Sequence, residues 1–563
     1  MDHFTQEKDA LARVLLHRFK SDLNGIFNTI AKPKMPGQVY VKGSKIQQGR
    51  RKILFEFIQL FPLLFNSGNQ RAPVDNRDIE TLHTAKITLA NLAYFRAKVK
   101  PMKIVLLAGL SVLLMTSCKL MNKDEKESAK STKSMTQGYK PLPWVHTTNI
   151  YEVNVRQYTP EGTFNAFVKE MPRLKAMGVH TLWFMPITPI AQKGKKGSLG
   201  SYYAASDYTS VSPEFGTLED FKDLVNEAHK MGFKVIIDWV ANHTGWDHVW
   251  TKEHPDYYLK DSATNDFKIA SGMDDIIELD YNNPALRKAM IDAMKYWVNT
   301  CDIDGFRCDL ASWVQVDFWQ EARPQLDAVK PLFWLGEFDE LETPDYGLVF
   351  DASYTWKWMH KTREFYQNHL PLSTLDSLLD QYSALKGTAM QAWFTSNHDE
   401  NSWNGTEYEK YGNMARALAV FSCTWDGVPL IYNGQELPML TKRLEFFEKD
   451  PIPWNGKYEM ADFYKILFNL KTNNPALRGN DSAAITVRLK TSADSSALVY
   501  LRKNGDREVL VVINMSYNPH VNFEILDDRV TGTFKDVFTG NTMDLSGKKN
   551  FDLPAWEYRV LEK

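Results

Sequence analysis

The sequence predicts an α/β fold: a (β/α)8 barrel of the TIM type, with a small inserted subdomain after strand 3 and a C-terminal all-β sandwich domain. Two observations predict it. From Asn149 onward, short apolar runs alternate with stretches whose apolar residues recur at helical spacing, the pattern of a parallel sheet wrapped in helices. Four segments that follow such runs carry charge: Asp238-Trp239-Val240-Ala241-Asn242-His243, Gly305-Phe306-Arg307-Cys308-Asp309, Gly336-Glu337-Phe338 and Ser396-Asn397-His398-Asp399. Buried parallel strands are normally apolar throughout, so charge at their tips needs a reason. In a β/α barrel those tips carry the chemistry.

The strands fall in order at Ile150–Val155, Val179–Pro186, Lys234–Val240, Ile303–Asp309, Leu332–Glu337, Leu348–Ala352, Gln391–Thr395 and Val428–Tyr432. Amphipathic stretches such as Leu218–Met231 and Pro284–Asn299 read as the helices between them. Eight repeats match a closed barrel and assign it residues 147–475. The interval 244–283, rich in Asp, Tyr and Trp, is too long for a plain connection and reads as an excursion beside the active-site face. Residues 476–563 change texture. Ala497–Leu501, Val509–Ile513 and Tyr558–Leu561 are strand-like runs between Asn-, Gly- and Asp-rich turns, which predicts the sandwich. Asn514 and its neighbours offer no catalytic grouping, so this domain reads as structural.

With 563 residues, 44% of them apolar, the chain can bury a large core. Its 16 Trp serve that core by default, though some can stack on flat apolar faces such as those of sugar rings. The net charge of -2 conceals an asymmetry: residues 1–117 hold 18 Lys/Arg against 8 Asp/Glu, and the remainder is acidic. An acidic body argues against nucleic acid as a partner. The change of sign marks a boundary, and Met102-Lys103 followed by the apolar run Ile104–Met115 and small Thr116 and Ser117 reads as a secretory signal at 102–118. The run is short for a membrane span, which needs about 20 apolar residues. Leu-Met-Thr-Ser-Cys resembles a bacterial lipobox, with Cys118 as the lipidated residue. The expectation is an exported protein, in the periplasm or at the cell surface, held at the membrane by a lipid anchor. Residues 1–101 then read as upstream sequence translated as protein, the competing reading being a cytoplasmic extension. Residues 119–146, beginning with a Lys-, Glu-, Ser- and Thr-rich stretch, read as a tether. The other three Cys, Cys301, Cys308 and Cys423, make no disulfide framework and have no metal-binding spacing.

Asp309, Glu337 and Asp399 stand at the ends of strands four, five and seven, so one rim can bring them into one pocket. Two carboxyl groups about 5–5.5 Å apart are the geometry of retaining glycoside hydrolysis, one attacking the anomeric carbon and the other protonating the leaving oxygen. Arg307 precedes Asp309 by two residues and points to the same side of its strand. A guanidinium there is expected to keep Asp309 ionised. Glu337 follows Phe333-Trp334-Leu335-Gly336, an apolar neighbourhood expected to suit a protonated acid. His243 and His398 can donate to sugar hydroxyls.

These segments together resemble the α-amylase family of glycoside hydrolases over roughly residues 147–563. The resemblance implies Asp309 as nucleophile, Glu337 as acid/base and Asp399 as stabiliser of the transition state. It also implies substrate-binding roles for Asp238, His243, Arg307 and His398. In Gly200–Tyr208, Tyr203 looks like the family's tyrosine that stacks on the cleaved sugar. The substrate class implied is an α-1,4-linked glucan or maltooligosaccharide, with no organic cofactor. A glucanotransferase would share all these residues, and a non-catalytic carbohydrate-binding relative is the alternative of a different class. Asn242 matches one typical calcium-ligand type. However, the Lys-His pair found in many members three residues after the nucleophile is Ser312-Trp313 here. The expectation is a barrel that folds without an essential calcium at the family's usual position.

Overall fold

A computed structural model describes residues 139–385, 389–437 and 442–563. The expected extension, the signal with Cys118, and the tether up to residue 138 lie outside the described residues. The tether stops short of residue 146. The Tyr139 ring lies 4.0 Å from the Arg323 guanidinium, and Trp144 packs on Phe333 at 5.6 Å. Val145, in the 3-10 turn Val145–Thr147, is fully buried. Aromatic residues at 139 and 144 give this stretch a packing surface that Lys, Glu, Ser and Thr do not.

Eight parallel strands close on themselves: Ile150–Val153, Thr181–Phe184, Lys234–Trp239, Gly305–Cys308, Phe333–Asp339, Ala352–Tyr354, Met390–Trp393 and Val428–Tyr432. Ile150 is paired with Thr181 on one side and Leu430 on the other, which completes the ring. Period-two alternation sorts the side chains. Ile150, Trp183, Ile236, Phe333, Leu335 and Leu430 fill the barrel interior, while Tyr151, Leu182, Val235, Ile237, Phe306 and Trp334 face the helices.

The helices form where sequence and caps agree. Leu218–Lys230 opens on a capping box between Thr217 and Asp220 and buries Phe221, Leu224, Val225 and Ala228, the i, i+3, i+4, i+7 stripe. Pro284–Cys301 starts with the Asn283 side chain accepting from Ala285 N and ends at left-handed Asp302.

The sixth strand begins later than expected. Leu348 ends a 3-10 turn, Pro344–Leu348, and Phe350 packs outward on Trp319 and Trp334 at 5.4 and 6.3 Å. Pairing starts only at Ala352. The strand itself reads Ala-Ser-Tyr and has no apolar run to betray it.

After the third strand the chain makes a small excursion in which His243–Gly245 pairs antiparallel with Ile276–Glu278. The C-terminal domain is a six-stranded antiparallel sheet facing a two-stranded one. Its strand Ala497–Asn504 is buried on both sides. Val499 and Leu501 face Phe523 and Phe551 inside the domain, whereas Leu498 and Tyr500 join the core shared with the barrel helices.

Candidate active site

The fourth strand places Arg307 in the centre of the rim, fully buried. Its Nη1 donates to Asp238 Oδ1 at 3.0 Å and to Asp309 Oδ1 at 2.9 Å, and its Nη2 lies 2.8 Å from Glu337 Oε2. One guanidinium thus holds three carboxyl groups, from strands three, four and five. Glu337 Oε2 also accepts from Leu310 N at 3.0 Å. The Trp183 and Tyr354 rings flank the guanidinium at 4.9 and 5.5 Å.

A second cluster faces it. His398 Nδ1 lies 2.5 Å from Glu152 Oε1 on the first strand. Its Nε2 lies 2.8 Å from Tyr203 OH and 3.3 Å from Asp399 Oδ2. Tyr203 OH donates to Asp238 Oδ2 at 3.0 Å, which ties the two clusters together. The Tyr203 ring stacks on His398 at 5.3 Å. Tyr203, His243, Asp309, Glu337 and Asp399 line a cleft of about 390 Å3. Asp238, Arg307 and His398 sit beneath that lining, held by the bonds above.

Five carboxyl groups here, Glu152, Asp238, Asp309, Glu337 and Asp399, face two cations, Arg307 and His398. The electrostatics follow. Burial, then the Glu337 charge, push the Asp309 carboxyl well above its ordinary range against the pull of Arg307. Asp238 and Glu152 are raised by burial, with Arg307 opposing at Asp238 and His398 opposing at Glu152. Burial works against the charged form of His398, but Asp399 and Glu152 outweigh it and hold the imidazole protonated well above its usual range. Asp399 is partly exposed at the cleft, and although desolvation there works against its charge, His398 outweighs it and keeps the carboxyl below its usual value. Burial lowers His243 to about 4, so it is neutral at pH 7.

Two expectations change. Arg307 alone does not fix the charge of Asp309, because it is shared among three carboxyl groups. Nor is the immediate surrounding of Glu337 apolar. Phe333 and Leu335 lie on its side of the strand but deeper in the barrel, and at the rim Glu337 meets a guanidinium and a backbone N–H.

Sequence reasoning missed Glu152 and Tyr354, which brace His398 and Arg307. Glu152 had a usable signal, a carboxylate inside the apolar run Ile150–Val153. It also missed Trp403, Phe446 and Phe447, which line one end of the cleft.

The donors around Asn242 do not fit calcium, which takes six to eight oxygen ligands. The Asn242 amide nitrogen lies 3.3 Å from His243 Nδ1. Asp274 and Asp275 contact the Lys196 ammonium at 3.0 and 2.8 Å. Asp280 Oδ1 accepts from the Asn282 backbone and amide, and the Ser312 carbonyl accepts from Tyr346 OH. Among the described residues, no three His, Cys, Asp or Glu converge as a metal cluster.

The chain is similar to known proteins across both the barrel and the C-terminal domain. The family model for the α-amylase catalytic domain matches residues 122–274 and 258–484, and that for the C-terminal domain of maltogenic amylase matches 488–560. Alpha-amylase 2 of Dictyoglomus thermophilum is 25% identical over 407 residues, covering 68% of this chain and 67% of the relative. The maltogenic alpha-amylase of Bacillus acidopullulyticus is 26% identical over 436 residues, covering 71% and 70%. Among solved structures, the noncanonic maltogenic alpha-amylase AmyB of Thermotoga neapolitana superposes with a TM-score of 0.67 at 28% identity, over 74% of this chain and 99% of that one. An alpha-amylase from Lactobacillus plantarum gives 0.67 at 26%, over 75% and 100%.

Proposed function

Because the chain belongs to the α-amylase family of glycoside hydrolases, we propose that it cleaves α-1,4-glucosidic bonds in starch-type glucans or maltooligosaccharides by double displacement. The observation that carries this reading is Arg307, holding Asp309 and Glu337 on its two terminal nitrogens in a cleft that Asp399 also lines. Two carboxyl groups side by side on one guanidinium suit a nucleophile and an acid on opposite sides of one glycosidic bond.

In the first step the Glu337 carboxyl gives its proton to the glycosidic oxygen as the C1–O bond breaks. An Asp309 carboxylate oxygen attacks C1, and the leaving chain departs with a new hydroxyl. In the second step Glu337, now a carboxylate, takes a proton from water. That water attacks C1, the ester to Asp309 breaks, and the configuration at C1 is retained. Tyr203 offers its ring to the sugar held on Asp309, and Asp399, ionised beside His398, stabilises the oxocarbenium-like charge. The excess of carboxyl groups works against the charged form of Asp309 in the resting site. Turning Glu337 off Arg307 towards the glycosidic oxygen leaves the guanidinium to Asp238 and Asp309, which favours the ionised nucleophile.

Export through residues 102–118 and anchoring at Cys118 belong to the same proposal, and the sequence alone supports them.

Maltoheptaose digestion followed by proton NMR tests the reaction. The first product resonance expected is the α-anomer, with no accumulation of chains longer than the substrate. A β-anomer appearing first sinks double displacement, and abundant longer chains indicate a glucanotransferase.

A further inference from the structure

One end of the cleft is walled, and the wall is tied on both sides. Lys196 Nζ contacts Asp274 and Asp275 of the excursion at 3.0 and 2.8 Å. Two residues on, Ser198 N donates to Glu448 Oε1 at 2.7 Å, its hydroxyl donates to Glu448 Oε2, and Leu199 N donates to the Phe447 carbonyl at 3.2 Å. Between them Gly197 has φ +60°, and a Cβ there would lie 2.5 Å from Phe447 Cβ, so only glycine lets the backbones approach this closely. Segment 196–199 therefore spans from the excursion to the loop after the eighth strand. Phe446 and Phe447 line the cleft behind it, and Trp403, 53% exposed, packs on both at 5.5 and 5.7 Å.

The position of the wall relative to the chemistry decides its meaning. Phe446 stacks on Tyr203 at 6.3 Å and approaches His398 at 6.1 Å, so the wall stands on the Tyr203, His398 and Asp399 side. Glu337, which protonates the leaving oxygen, and Leu310, bonded to it, stand at the ends of the fifth and fourth strands, across the closed ring from the first and eighth. The leaving chain departs past Glu337, and the sugars that stay on Asp309 run towards the wall. The cavity of about 390 Å3 is at the low end of the roughly 300–1,000 Å3 typical of ligand sites.

We propose that segment 196–199, with Trp403, Phe446 and Phe447, closes the glycone end of the cleft, so that the enzyme removes glucose or maltose from non-reducing ends and does not cut inside long chains. This rests on the retaining α-glucosidic reading above. Trp403 offers an exposed aromatic face on which the terminal sugar ring stacks, and the Lys196 and Glu448 attachments hold the wall in place.

The test compares maltoheptaose with a maltoheptaoside whose non-reducing 4- and 6-hydroxyls are blocked by an ethylidene group, reading new reducing ends and early products by chromatography. The expected result is rapid release of glucose or maltose from the free substrate and at least a tenfold slower reaction of the blocked one. Equal rates on both, or early fragments of intermediate length from amylose, overturn the closed end. No cleavage of either substrate strikes at the proposed function instead. In S198A/E448A, which removes the side-chain ties of the strap to the eighth-strand loop and leaves the Leu199–Phe447 backbone bond, the ratio of blocked to free rates should rise at least tenfold. A folded variant with the wild-type ratio also overturns the proposal. Should the double variant not fold, W403A with the same readout replaces it.

Discussion

Asp309→Asn is expected to stop turnover and raise stability together. The amide cannot form the glycosyl ester, so kcat should fall by about 10^4-fold or more. At about 1.36 kcal/mol per tenfold, that is a loss of at least about 5 kcal/mol of transition-state stabilisation. The stability effect follows from the charge count. Asp309 is attracted to Arg307 and repelled by Glu337. Two charges about 4 Å apart interact by roughly 4 kcal/mol at an effective dielectric constant near 20, and at Asp309 the effect of Glu337 outranks that of Arg307, so the guanidinium leaves no net attraction. What remains is the burial of the carboxylate and the weaker repulsion by Asp238 and Asp399, both unfavourable. Arg307 is not orphaned by the change, since Asp238 and Glu337 keep contact with it and the amide oxygen can still accept from Nη1. Neutralising this position should therefore stabilise the fold by about 1–3 kcal/mol, in the size range of single substitutions. Tm should rise by a few degrees, at about 1–2 °C per kcal/mol for a unit of this size. Reducing-sugar release and calorimetry at pH 7 measure the two effects. Near-normal turnover in a folded variant refutes the nucleophile, and a Tm several degrees below wild type refutes the excess of negative charge.

Glu152→Gln removes one of the two anions that hold His398 protonated. A histidine raised above its unfolded value contributes stability that is complete below about pH 6.5 and lost as pH rises through the folded value. The alkaline limbs of both the activity and the Tm profiles should therefore move to lower pH in the variant, and unmoved limbs would show that Glu152 does not govern His398. Exhaustive chelation should leave Tm and activity unchanged, and a large loss restored specifically by calcium would show that a site survives near Asn242. Mass spectrometry of protein from its native host should find a mature chain starting at a diacylated Cys118, with Cys118→Ala released from the membrane. Peptides from residues 1–101 would show instead that the long form is made.

What the sequence revealed and what it hid divide along one physical line. Asp309, Glu337 and Asp399 were legible because each interrupts or ends an apolar run, and local contrast needs no partner to be noticed. The 220s helix was legible because its stripe and its cap lie within one short segment. Glu152 shows the same contrast inside Ile150–Val153, but its role could not be read because it lies in His398, 246 residues away. Trp403 and Phe446 were hidden because aromatic residues in loops look the same whether they line a cleft or fill a core. The charge states were least legible. The pair Arg307–Asp309 can be read from spacing, but the other two carboxyl groups on the same guanidinium come from separate strands, and only closure of the barrel counts them.

The strand Ala497–Asn504 carries a consequence for how this chain can be cut and rejoined. Its two faces belong to two cores, and the join is polar as well as apolar: Tyr500 OH lies 2.6 Å from Thr424 Oγ1, and Arg488 reaches Asp376 at 2.9 Å. Trp425 packs edge-on against Tyr500 at 4.8 Å. A truncation before Ile485 would strip the barrel helices of their cover as well as removing a domain, exposing Phe421 and Trp425 to water. The C-terminal domain behaves as a wall of the catalytic body, so a transplant of the barrel to another carrier must bring its own sheet.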